Sequence, residues 1–190
     1  MRDPEFIIFA GPMFGSKTTR MLAAVDRYRW QSRKIVAFKP QIDDRYSVNQ
    51  ITTHNGANIP AQCVSDASDV IAHLNEIGHF DVIAVDEAFM IKGIAEVLLT
   101  YFRNGKTIVV STLQLSSKGE PFREVKEMMP WATKIDICPA VCPVTGRDAY
   151  YTHRKFEEEK EIIVGGADMY EPRCFEKYKY VNLKFEIEHD

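Results

Sequence analysis

A chain of 190 residues has enough interior for one substantial core and a small appendage, but not for two full domains. Its 24 Lys and Arg against 27 Asp and Glu give a net charge of −3, and no basic run is long enough to follow a nucleic-acid backbone, so the expected partner is a small molecule and not a polymer. No apolar stretch would span a membrane, and charges interrupt the N-terminal region where a secretory signal would lie; we expect no membrane partner and a cytoplasmic location.

The first apolar run, Phe6-Ile7-Ile8-Phe9-Ala10, lacks alternation, as in a strand buried on both faces of a parallel sheet. It breaks into Gly11-Pro12-Met13-Phe14-Gly15-Ser16-Lys17-Thr18, and a helical pattern follows at once. Strand, glycine loop, Lys-Thr and helix form the context of a phosphate-binding loop, or P-loop. In such a loop backbone N–H groups and the helix N-terminus surround the phosphates. The lysine neutralises the β and γ charges, and the hydroxyl ligates magnesium. The consensus G-x-x-x-x-G-K-[ST] would put glycine at position 16, whereas here Gly15 precedes Ser16. A side chain at 16 is expected to crowd the phosphate and weaken its binding.

Met21, Leu22, Val25 and Tyr28 recur at helical spacing, predicting a helix over 17–31. Ile35-Val36-Ala37-Phe38 is a second parallel strand, ended by Lys39-Pro40, and completes a βαβ unit. The polar segment after it carries Arg45, a candidate phosphate clamp, at the strand end where open α/β sheets bind ligands. Residues 51–54 and 59–64 are expected as short strands around Asn55-Gly56, with His54 a polar strand residue. Ser65-Asp66 would cap a helix over Val70, Ile71 and Leu74 that ends near Gly78. The strand at 81–85 then delivers Asp86-Glu87 at its C-terminal end. An apolar strand ending in an acid, downstream of a phosphate loop, is the Walker B arrangement: Asp86 for magnesium, Glu87 as general base on an acceptor hydroxyl. A helix over 93–103, a strand over 107–112, a loop over 113–121, a helix over 122–129 and a strand over 133–137 complete the first unit.

We place the P-loop α/β domain at 1–137 and a small domain at 138–190, where short β-like pieces alternate with a charged run and Gly165-Gly166. The four cysteines, Cys63, Cys138, Cys142 and Cys174, do not form a disulfide framework and are expected as reduced thiols or metal ligands.

The ordered set Gly11 to Phe14 with Lys17-Thr18, Lys39-Pro40 with Asp44-Arg45-Tyr46, Val85-Asp86-Glu87-Ala88, Gly119-Glu120-Pro121-Phe122, Ala140-Val141-Cys142-Pro143-Val144, Tyr151-Thr152 with Arg154, and Val164 to Tyr170 closely resembles thymidine kinases of the cellular and poxviral type. The resemblance implies a parallel P-loop sheet flanked by helices, with a small lasso domain like a zinc ribbon. It also implies transfer of the ATP γ-phosphoryl to the 5′-hydroxyl of thymidine, in the salvage route to DNA precursors. ATP would bind on Gly11, Pro12, Met13, Phe14, Gly15, Ser16, Lys17, Thr18 and Asp86, with Thr18 and Asp86 holding Mg2+. Glu87, Lys17 and Arg45 would be catalytic. Met13, Leu113, Phe122, Thr152 and Tyr170 would line the nucleoside pocket, joined by Ile163, Gly165 and Gly166 of the lasso. A homotetramer or homodimer is implied.

The chain departs from the family at four places: the Gly15-Ser16 order, Phe89 in place of a glutamine two residues after Glu87, Ser117-Lys118 in place of a phenylalanine and its polar or arginine neighbour, and the zinc ligands. Two C-x-x-C pairs are reduced to Cys142 and Cys174, short of the four ligands a structural zinc needs. The small domain is therefore expected to order without metal, on Tyr150, Tyr151, Phe156, Tyr170, Phe175, Tyr178 and Tyr180. These departures motivate two alternatives: a nucleotide-binding protein with little turnover, or a kinase for another deoxynucleoside.

Overall fold

A computed structural model describes residues 3–42, 49–53, 56–156 and 165–179. β1 (Phe6–Ala10) is buried along its whole length, and its side chains alternate between two cores. Phe6, Ile8 and Ala10 enter one, and Ile7 and Phe9 enter the other. α1 (Lys17–Trp30) covers the second core with Met21, Leu22, Val25 and Tyr28. β2 (Ile35–Pro40) runs two residues past the predicted stop at Lys39-Pro40. Its last pair with the strand at 82–85 is at Phe38, and the Gln41 N–H turns the other way, to the Val64 carbonyl at 2.8 Å. Alternation then aims position 40 at a side with no ladder left to break, so proline is tolerated.

The predicted 59–64 strand divides at Ala61, whose N–H bonds to the Asn49 carbonyl at 3.0 Å. β3 (Gln50–Thr52) and β4 (Asn58–Pro60) pair antiparallel, whereas β5 (Gln62–Val64) joins β2 in parallel at the sheet edge. His54 and Asn55 lie outside the described residues. α2 (Ala67–Ile77) starts where the Asp66 carboxylate accepts the Ser68 N–H at 2.7 Å and stops at Gly78, φ 74°. β6 (Val82–Val85), α3 (Ile94–Arg103), β7 (Thr107–Thr112), α4 (Arg123–Met128) and β8 (Lys134–Ile137) follow the expected sequence of elements.

The six main strands are parallel, in the order β5-β2-β6-β7-β1-β8, with α2, α3 and α4 packed on the face opposite α1. This is the α/β P-loop architecture expected. All the strand C-termini lie at one edge, and the loops after β1, β2 and β6 meet there. Beyond it, β9 (Ala140–Val141) pairs with β10 (Asp148–Ala149), and β11 (Tyr151–Arg154) pairs antiparallel with β12 (Tyr170–Arg173). Tyr151 stacks on Tyr178 with centroids 4.6 Å apart, and Tyr170 is buried; Phe175, by contrast, is 63% exposed, and Tyr180 lies outside the described residues. No helix among the described residues is long and apolar enough to cross a membrane.

One side chain joins the helices behind the sheet. The buried Glu124 carboxylate accepts the backbone N–H groups of Gly93 and Ala95 at 2.8 and 2.9 Å, capping α3 from α4. Glu124→Ala leaves both donors buried without an acceptor and is expected to lower unfolding stability by about 1–3 kcal/mol in urea denaturation. A loss under about 0.5 kcal/mol would mean that water replaces the carboxylate.

Candidate functional site

The loop after β1 folds over the end of β8. A Cβ built on Gly11 would lie 2.2 Å from the Cys138 carbonyl oxygen, and one on Gly15 would lie 2.3 Å from the same atom. Both positions therefore require glycine. Phe14 and Ser16 have left-handed backbones, φ 66° and 57°, with Ser16 exposed as the N-cap of α1 and making no side-chain capping bond. The Gly15-Ser16 order thus puts glycine where the Cys138 carbonyl needs it and leaves serine in a conformation that favours glycine. The effect of Ser16 visible here is backbone strain. The Pro12 carbonyl accepts the buried Lys17 ammonium at 2.7 Å and the Gly15 N–H at 3.3 Å, and the Met13 N–H donates to the Thr152 hydroxyl at 3.1 Å.

Facing the loop, Thr18 donates to Asp86 Oδ1 at 3.0 Å, and Ser111 at the end of β7 donates to the same oxygen. Burial, reinforced by the neighbouring Glu87 charge, raises the Asp86 carboxyl above the usual carboxylate range against the hydrogen bonds from Ser111 and Thr18. The Thr18 and Ser111 hydroxyls beside the Asp86 carboxylate, whose charge is costly to bury, fit a small, hard divalent cation. Glu87 takes a left-handed backbone, φ 48° and ψ 45°, a conformation that persists only where its surroundings fix it.

Gly15, Ser16, Lys17, Thr18, Asp86 and Glu87 border one cavity of about 240 Å³, together with Lys39, Thr53, Gly166 and Ala167. Gly166 and Ala167 thus lie beside the phosphate loop. Met13 and Phe14 line the same cavity, and Met13 also packs against an apolar cluster of Leu113, Phe122, Phe89 and Val125, in which the Phe89 and Phe122 rings are 4.5 Å apart. Thr152 is buried with its hydroxyl on the loop, and Tyr170 lies under the Arg154 guanidinium, 5.6 Å from the ring centroid. Arg45 and Ile163 lie outside the described residues. Sequence reasoning gave no role to Lys39, which is 4% exposed, or to Ser111. The available signal was a polar residue next to the C-terminal end of each apolar strand.

Cys142 and Cys174 share a small cluster with Ala140 and Ala149, and the Thr145 hydroxyl lies 3.4 Å from the Cys174 sulfur. Cys138 belongs to the core under the phosphate loop, and His153 pairs with Glu171 across β11 and β12. Among the described residues no group of three or more His, Cys, Asp or Glu comes together. This donor set does not fit a closed zinc site.

A profile of the family described as thymidine kinase matches residues 5–178, nearly the whole described fold. The chain belongs to the thymidine kinase family. A curated thymidine kinase from Pyrobaculum aerophilum is 32% identical over 180 residues, spanning 90% of this chain and 97% of that one. Family membership carries ATP use and transferase chemistry, which the paired loop and acidic strand end can accommodate.

The loop geometry yields opposite expectations for adjacent residues. Ser16→Gly removes a left-handed side-chain residue and should raise stability by about 1 kcal/mol. Gly15→Ala should destabilise the chain and abolish ATP binding, because the new carbon meets a backbone oxygen. Urea melts and calorimetry of the two variants check this; a tolerated Gly15→Ala would refute the seating on Cys138.

Proposed function

We infer that the site transfers the γ-phosphoryl of ATP to the 5′-hydroxyl of thymidine, the activity of the family. The observation that carries this reading is the meeting, in one cavity, of Lys17 and Thr18 from the loop with Asp86 and Glu87 from the neighbouring acidic strand end. Backbone N–H groups of 16–18 at the N-terminus of α1 would receive the phosphates, with Lys17 moving from the Pro12 carbonyl to the β and γ oxygens. Thr18 and Asp86 would hold magnesium. Bound there, it would supply charge neutralisation to the phosphates held by the loop. Glu87 would take the proton of the 5′-hydroxyl, and Arg45 would contact the transferring phosphoryl. Met13, Leu113, Phe122 and Tyr170, with Ile163, Gly165 and Gly166, would enclose the nucleoside. We also propose a dimer or tetramer, which light scattering tests; a monomeric mass would overturn it.

Phosphorylation assayed with ATP and each of the four deoxynucleosides should favour thymidine. Preference for another nucleoside would move the reading to an altered acceptor, and ATP binding without product would move it to a binding protein. Glu87→Gln should preserve nucleoside affinity while lowering kcat ~10²–10⁴-fold, the usual contribution of a general base. Turnover near that of the parent would remove Glu87 from this role.

The small domain supports a separate expectation. With only Cys142 and Cys174 together in that cluster among the described residues, purified protein should contain much less than one zinc per chain by elemental analysis, and a chelator should leave its melting temperature unchanged. Stoichiometric zinc with a large chelator shift would overturn this.

A further inference from the structure

The turn after β9 meets the end of β12 through two sulfurs. Cys142 and Cys174 are both free thiols, 0% and 5% exposed, and among the described residues their buried cluster adds only Ala140 and Ala149. The Cys142 sulfur accepts the backbone N–H of Cys174 as well as those of Val144 and Thr145. The Thr145 hydroxyl bonds to both sulfurs, lying 3.4 Å from that of Cys174, which also accepts from the Arg147 guanidinium. Two sulfurs that share one hydroxyl, one of them resting on the other cysteine's own N–H, are within the reach of a disulfide, whose Cα atoms stand about 4.4–6.8 Å apart. Cys63 and Cys138 belong elsewhere, to β5 at the sheet edge and to the core under the phosphate loop.

We propose that Cys142 and Cys174 form an oxidative modification site, at which a peroxide converts the pair to a disulfide that fastens the small domain. In the first step one sulfur takes an oxygen from hydrogen peroxide, giving a sulfenic acid and water. In the second the other thiol attacks that sulfur, forming the S–S bond and releasing a second water. The two thiols give up two electrons and two protons, and the peroxide takes up both. Cys174 keeps 5% exposure, enough to admit an oxidant as small as hydrogen peroxide. The use of such a bond follows from the packing. β9 and β10 have two residues each, and the two alanines between them bury little apolar area, so burial alone holds this cluster weakly. A Cys142–Cys174 bond closes a loop that contains β10, β11 and β12 together with Gly166 and Ala167, which border the phosphate-loop cavity. Closing that loop removes conformations from the unfolded chain and leaves the folded one in place. The inference does not depend on the reaction proposed for the cavity.

Full-length protein, reduced and then freed of reductant, should lose about 2 Da by intact mass when treated with a small excess of hydrogen peroxide. A peptide map made without reductant should join the peptides of Cys142 and Cys174. The oxidised protein should melt about 5–10 °C above the reduced protein, and dithiothreitol should reverse both changes. Cys142→Ser and Cys174→Ser should each show neither the mass loss nor the rise in melting temperature, whereas Cys63→Ser should keep both. A map that joins either cysteine to Cys63, to Cys138 or to a second chain would overturn the proposal. So would a gain of about 16 or 32 Da with no Cys142–Cys174 bond, or an oxidised protein that melts no higher than the reduced one. The map is made on the parent protein, so it decides the question even where a serine variant fails to fold.

Discussion

The Cys138 carbonyl oxygen occupies the space that a side chain on either Gly11 or Gly15 would need, and most of the site geometry depends on that contact. The carbonyl cannot move aside easily, because the N–H of the same residue is bonded to the Ala10 carbonyl at 2.7 Å, continuing the pairing of β8 with β1. The loop is therefore laid on a surface set by the sheet, and its curvature comes from the edge strand as much as from its own sequence. Close approach at two glycines draws the chain tightly enough to give Phe14 and Ser16 left-handed backbones, each at a cost of about 1–2 kcal/mol. Packing under the loop has to exceed that cost, which is why the strain persists.

A second cost is electrostatic. Asp86 is buried beside Glu87, so burial and like charge both oppose its ionisation, and the hydroxyls of Thr18 and Ser111 and the nearby Lys17 charge offset this only in part. Glu87 adds backbone strain at the same point. The place of the two acids at the end of a core strand is explained by what they face: a cavity that Lys17 and Lys39 also line. On the proposed reading, a polyanion carrying a divalent cation would supply the charges that balance this arrangement.

The fold was legible because its information is local. The unbroken apolar runs of β1, β6 and β7, the helical spacing in α1 and the caps at Asp66 and Gly78 each reside in a few consecutive residues, and the structure places these elements as expected. The strand end at Lys39-Pro40 was misjudged because proline is excluded from a strand only where its N–H has a partner, and that depends on where the neighbouring strand stops. The same limit hid Glu124 and Ser111, and the bond of Thr152 to the phosphate loop, since these hydrogen bonds reach 29 to 31, 25 and 139 residues along the chain. Ser16 was legible as a departure from the P-loop pattern, but not the reason for it, since nothing in 11–18 indicates that Cys138 lies beneath Gly15.

The departures at Phe89 and Ser117 are best weighed together. Phe89 adds an aromatic ring where the family has a glutamine, and Ser117 lacks a ring where many members have one. In the folded chain Phe89 packs on Phe122 with centroids 4.5 Å apart, inside the cluster that also contains Leu113 and borders Met13. At Ser117 the backbone is held instead by the Tyr178 hydroxyl, from a tyrosine stacked on Tyr151. Phe89 thus adds aromatic volume to this wall, and the loop at Ser117 is anchored through its carbonyl. Aromatic stacking contributes about 0.5–1.5 kcal/mol beyond area burial, and a neutral hydrogen bond a similar amount, so both positions make stabilising contacts in this chain. Two changes that look like losses when read singly therefore amount to a repacked wall around an intact phosphate loop and acidic strand end.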